Sequence, residues 1–209
     1  MMDFTQKQWV GYTVMHPFEG FDDMRWKKSG SVRIALLIVA LLFFGEIASG
    51  RLYGAQFRTD DDKTFSIVPY LVMSFVIFGV WVIGNWAVCT FLDGEGTIRN
   101  ICIFSAYALI PYVAQLYINV ILSHILIRDE AVFMQSIKII GTLWTVILLF
   151  SAVKSVHRYS FGKTVLAVAL TIAAMLIILF LLVLFMSLIQ QIYIFVSSVY
   201  TELSYRARV

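Results

Sequence analysis

The sequence predicts an all-α integral membrane protein: a five-span transmembrane helical bundle with an N-terminal interfacial helix. Three observations predict it. Apolar runs longer than about 18 residues recur along the chain, the length a membrane helix needs. Only 14% of the 209 residues are charged and 60% are hydrophobic, whereas a soluble domain is about a quarter charged. The few basic residues stand beside the apolar runs, where they meet anionic headgroups. At this size one compact bundle is expected, divided as a cytoplasmic or interfacial segment 1–31, a membrane domain 32–196 and a C-terminal tail 197–209.

Residues 1–31 are too mixed to span. They hold Phe4, Trp9, Tyr12, Phe18, Phe21, Met24 and Trp26 among polar residues. His16-Pro17 can open a helix, because proline is tolerated in a first turn. Phe18, Phe21 and Met24 then recur at helical spacing, followed by Trp26-Lys27-Lys28. This predicts a short helix in the headgroup layer, apolar side down and lysines up. No signal peptide precedes the first run, so span one is expected to be an uncleaved anchor.

Span one is expected at 32–49, with Glu46 about one turn from its end. A charged loop follows, with Arg51, Arg58 and residues 60–63. Span two covers 66–90, with Pro69 in its first turn and Asn85 and Trp86 in its last third. The turn Asp93-Gly94-Glu95-Gly96 is short enough to make spans two and three antiparallel neighbours. Gly94 and Gly96 are read as serving the tight turn itself. Span three covers 101–127 and span four 132–153. A basic loop holds Lys154, His157, Arg158 and Lys163. The last apolar run, 164–196, would be about 50 Å long as a straight helix, against a bilayer core of roughly 30 Å. It reads as span five continued by a helix that emerges near Gln190-Gln191 and passes Tyr193, Tyr200 and Tyr205 to Arg206 and Arg208.

Basic residues are biased to one side. Lys7, Arg25, Lys27, Lys28, Arg33, Arg99, Lys154, Arg158 and Lys163 fall on the side of the N-terminus, and Arg51, Arg58, Lys63, Arg128, Arg206 and Arg208 on the other. This predicts a cytoplasmic N-terminus in a multi-pass protein of the cell membrane.

Span three carries a stripe, Ser105, Ala108, Tyr112, Gln115, Asn119 and Ser123, stepping by three or four residues and so lying on one face. Amides facing lipid are costly, so the stripe should face the bundle. It suits hydrogen-bonded glue between helices, worth about 1 kcal/mol per contact, or a substrate path or partner surface. Pro111 frees a backbone carbonyl and permits a kink. Glu46 is the acidic residue well inside a hydrophobic run, free to snorkel or to pair with Arg51. The candidate bundle or partner contacts are therefore Glu46, Asn85, Tyr107, Pro111, Gln115 and Asn119.

Catalytic signatures are missing. Ser123 and His124 are adjacent, so on a helix they point about 100° apart, and no nucleophile elbow occurs. Cys89 and Cys102 flank Asp93 and Glu95 at a spacing that matches no common metal site. Asp-Gly-Glu-Gly lacks the lysine of a phosphate loop. The formal net charge of +3 is too small to suggest nucleic acid. No enzyme, metal or cofactor is expected.

The segment 94–111 resembles the Ypt-interacting protein (YIP) family of five-span membrane proteins. The family has a glycine-rich loop after span two, here Gly94 and Gly96. It has a Tyr-x-x-x-Pro in span three, here Tyr107-Ala108-Leu109-Ile110-Pro111. Pro17-Phe18 is similar to the start of bacterial members. The Asp-Leu-(Tyr or Ala)-Gly-Pro motif of the eukaryotic branch is absent, with Arg51-Leu52-Tyr53-Gly54-Ala55 only an echo of it, so Rab GTPase binding is not carried over. The resemblance implies a bacterial-type membrane scaffold or accessory protein. It implies a membrane-protein partner such as an ABC-type transporter; the lipid bilayer and a second copy of the chain are the other partners expected. The alternative is a small transporter or channel with a polar path along Gln115, Asn119 and Glu46.

Overall fold

The computed structural model describes residues 6–27, 29–57 and 66–206. Phe4, Lys28, Arg58, the acidic loop at 60–63 and Arg208 lie outside the described residues, as does the side chain of Lys7. Every regular element among the described residues is helical. Five helical stretches are long and apolar enough to cross a membrane: Val32–Arg51, Val68–Phe91, Ile98–Leu122, Arg128–His157 and Phe161–Arg206.

Before the first span come α1 (Gln6–Met15) and α2 (Glu19–Trp26). The sequence pattern anticipated only the second, because α1 has no clean apolar stripe. Pro17 stands in the turn between them. The apolar side of α2 faces protein rather than lipid. Phe21 and Met24 are fully buried, and the Phe21 ring lies 5.8 Å from that of Phe104. The Trp144 indole N–H donates to the Val14 carbonyl at 3.0 Å, which ties the hairpin to the middle of span four. We refer to the face carrying this hairpin as the N-side.

Span one is α3 (Val32–Arg51). Span two begins as α4 (Val68–Leu71), with Pro69 in its first turn. It widens into a π-helical turn at Val72–Val76 and returns to α geometry as α5 (Ile77–Phe91). Span three is two helices, α6 (Ile98–Ala108) and α7 (Ile110–Leu122), broken at Leu109 with Pro111 in the first turn of α7. The break follows from Pro111, which has no N–H to give and whose ring collides with the carbonyl one turn back. Spans four and five are α8 (Ala131–His157) and α9 (Phe161–Arg206).

Span three is the centre of the bundle. More than half of its most apolar window is buried, against a third or less in the other spans. It packs between α3 and α8, while α9 lies against α5. Small residues set these approaches, as is usual for helices in lipid. A Cβ on Gly45 would stand 3.1 Å from Leu116, and one on Gly141 would stand 2.7 Å from Gln115 Cγ. On the face opposite the N-side, the Gly54 N–H donates to Ser123 Oγ at 2.9 Å, and Arg128 Nε donates to the Gln56 carbonyl at 2.6 Å. These bonds stitch the loop after span one to the turn between spans three and four.

Candidate functional site

Two places gather the chemistry-bearing residues: the turn after span two on the N-side, and a lipid-level cavity at the break in span three.

The turn is built differently from its sequence reading. Neither glycine has positive φ; the left-handed residue is Asp93, at φ 53°. The glycines are needed for room. A Cβ on Gly94 would fall onto His157 Nδ1 and lie 2.5 Å from the Tyr159 hydroxyl; one on Gly96 would lie 2.5 Å from His157 Cε1. The turn therefore wraps the end of α8.

His157, almost fully buried, joins three spans. Its Nδ1 accepts from the Gly96 N–H at 3.3 Å, so Nε2 carries the proton and donates to Asn85 Oδ1 at 3.0 Å. Asn85 Nδ2 in turn donates to Thr171 Oγ1 at 3.2 Å, and that hydroxyl donates to the Ala167 carbonyl at 2.7 Å. Each donor has an acceptor along the whole chain of bonds, which is what makes a buried polar network stabilising. Tyr159 stacks on His157 at 5.3 Å. Its hydroxyl reaches the carbonyls of Cys89 and Leu92 at the end of α5, at 3.1 and 3.2 Å; the Cys89 carbonyl also accepts from the Leu92 and Gly94 N–H groups. Burial, with the Cys89 sulfur beside it, pushes the Tyr159 hydroxyl above the usual phenol range, so it acts as a neutral donor.

The same turn holds the N-terminal hairpin. Glu95 pairs with Arg25 of α2 at 2.7 Å and lies 3.4 Å from Arg158. Arg25 also donates to the Ser155 carbonyl. Arg158 caps α8 in the left-handed region at φ 56°, and its guanidinium lies 5.0 Å from the Trp26 ring. Half-exposed pairs of this kind contribute little energy, about 0–1 kcal/mol. What they fix is position.

The cavity, of about 270 Å³, lies among α3, span two, the break at Leu109, α8 and α9. Its lining is apolar apart from a few groups: Glu46, Trp81, Ser105, Tyr112 and Thr145. The Tyr112 hydroxyl donates to Glu46 Oε1 at 3.0 Å, and the Trp81 N–H donates to Ser105 Oγ at 2.9 Å. The π turn sits in the wall through Met73; such turns are frequent at functional sites.

The six candidate residues do not form one site. Asn85 belongs to the N-side network and Glu46 to the cavity. Gln115 and Asn119 are both buried and bond each other at 3.3 Å. They stand outside the cavity lining, Gln115 lying against Gly141. Tyr107 is fully enclosed in the core, and the Pro111 carbonyl lies close to Gly141. Sequence reasoning missed His157, Tyr159 and Arg25. A signal for His157 existed in the two glycines, since residues without Cβ mark close approaches, but nothing in the sequence said what approaches them.

With that arrangement in view, a model of the Yip1 domain matches residues 12–200. The chain belongs to the Yip1 domain family. The match runs from inside α1 to near the end of α9, so it takes in the N-side turn, the broken span three and most of the last helix. No curated protein and no solved structure matches the chain.

Proposed function

We propose that this Yip1 domain protein is a non-enzymatic membrane scaffold or accessory subunit that offers α9 to a partner helix. The observation that carries the reading is the mismatch between α9 and the rest of the bundle. At 46 residues it is about 69 Å long, roughly twice the bilayer core. Thr164, Ala167 and Thr171 are its buried residues, and Met175 borders the cavity. Residues 181–203 are exposed throughout, including Phe185, Ile192, Phe195 and Val199. Lipid covers the part within the bilayer. An apolar helix that outruns the bilayer calls for a protein surface over the excess. The partner is a membrane protein, with an ABC-type transporter and a second copy of the chain as the classes to test. The N-terminus is cytoplasmic in this reading, in a bacterial cell membrane.

Gentle detergent purification of the tagged chain from its own cells, followed by mass spectrometry of co-purifying proteins, tests this. A photo-crosslinker at Phe195 should capture the same stoichiometric partner. A chain that emerges alone, crosslinked only to lipid, would remove the accessory reading.

A second reading, a small transporter, draws on the Glu46 cavity. A path would have to continue from that cavity to Asn119, which stands outside its lining, so Asn119→Cys should react with an aqueous thiol reagent. Silence there would count against a path.

A further inference from the structure

On the N-side, a second and more polar cavity of about 450 Å³ opens between α2, the linker at Gly30, the start of α6 and the α8–α9 turn. Arg25, Arg99, Asn100 and Arg158 supply its polar wall, and Ile103 and Phe104 its apolar one. We propose that this cavity binds the phosphate of an anionic phospholipid headgroup, with Arg99 as the principal contact.

Charge supports an anion. Three guanidinium groups line the cavity, and Glu95 pairs with two of them, at 2.7 Å from Arg25 and 3.4 Å from Arg158. The heads of Arg25 and Arg158 are thereby held in place, Arg25 further by the Ser155 carbonyl and Arg158 by the Trp26 ring. Arg99 is exposed, and among the described residues it has no hydrogen-bond or ion-pair partner. The wall therefore keeps a positive excess and one uncommitted guanidinium, whose planar fork suits phosphate oxygens. The cavity also stands at the start of α6, the positive end of that helix.

Position and lining favour a lipid over free phosphate. Basic pockets between membrane helices at the headgroup level are suited to anionic lipids. The apolar wall of Ile103 and Phe104 offers a surface to the glycerol region, for which inorganic phosphate has no use. Trp26, 73% exposed, stands on the rim at the level where indoles anchor to headgroups.

The test is native mass spectrometry of the full chain in mild detergent. The probes are phosphatidylglycerol, phosphatidylcholine and inorganic phosphate. The wild-type chain should retain phosphatidylglycerol in preference to phosphatidylcholine, and Arg99→Gln should lower that retention roughly five- to tenfold. Arg99 has no hydrogen-bond or ion-pair partner among the described residues, so the variant should keep the wild-type unfolding temperature. Arg206→Gln, at the far end of α9, should bind as the wild type does. Equal retention of the two lipids would overturn the proposal, as would unchanged retention in Arg99→Gln. Displacement of the lipid by inorganic phosphate at matched concentration would overturn it in favour of a free-phosphate site.

Discussion

The backbone N–H of Gly96 donates to Nδ1 of His157 at 3.3 Å, and the glycine's missing side chain is what lets the ring lie there. The bond fixes the tautomer of a buried imidazole and directs its other nitrogen at Asn85. A turn that reads as backbone punctuation is thus the lid of a polar network across spans two, four and five.

Gly96→Ala should lower stability by about 1–3 kcal/mol, the usual cost of overpacking. The added methyl would stand 2.5 Å from both His157 Cε1 and Val156 Cγ1, and the ring is tethered at both nitrogens. Gly79→Ala is the contrast. Its Cβ meets nothing within 4 Å and the position is helical, so it should be neutral or stabilising by about 0.5–1 kcal/mol. Thermal unfolding in detergent reads both. Equal unfolding temperatures in the two variants would sink the packing account.

Asn85→Leu should cost about 1–3 kcal/mol by stranding the Nε2–H of His157 in a buried site. Adding His157→Phe should cost less than the two single losses combined, because the second change removes the orphaned donor. A double-mutant cycle on unfolding free energy measures this. Simple additivity would mean that the two side chains are not coupled.

Arg25→Gln should loosen the N-terminal hairpin without unfolding the spans. Arg25 holds both Glu95 and the Ser155 carbonyl. Limited proteolysis should cut α1 and α2 faster in the variant and leave the fragment beginning at α3 intact. Glu95→Gln should act in the same direction and more weakly, since Arg25 keeps its carbonyl acceptor. Unchanged cleavage in Arg25→Gln would show that the apolar contacts of Phe21 and Met24 hold the hairpin alone.

Tyr112→Phe should lower stability by about 1 kcal/mol by removing the donor to Glu46, a modest figure because both groups are half-buried. Glu46→Gln keeps an acceptor oxygen for Tyr112 and should lose less. The ordering of the two unfolding temperatures is the readout, and the reverse order would mean that Glu46 is held by something other than the phenol.

Much of this was legible in the sequence for one reason: lipid is a uniform solvent. A run of apolar residues must become a helix there, because each backbone polar group needs a partner within its own segment. The five spans and the membrane class follow from hydropathy. The inward face of span three follows from residues three and four apart, Gln115 and Asn119 among them. Pro111 announced the break beside it, and the Tyr107–Pro111 pattern with the glycine turn pointed to the family.

The tertiary structure alone decided who meets whom. Gly94 and Gly96 looked like turn residues because glycine most often serves φ; here Asp93 takes the positive angle and the glycines make way for His157, which is 61 residues from Gly96. Arg25 and Glu95 are 70 apart, and no local pattern links them. Gln115 and Glu46 share a polar character in sequence yet stand in separate places, because the turn of α7 sends one toward Gly141 and brings Tyr112 to the other. Period and hydropathy are properties of one helix and are written along the chain. Contacts between helices depend on rotation, depth and crossing, and those are set only when the spans pack.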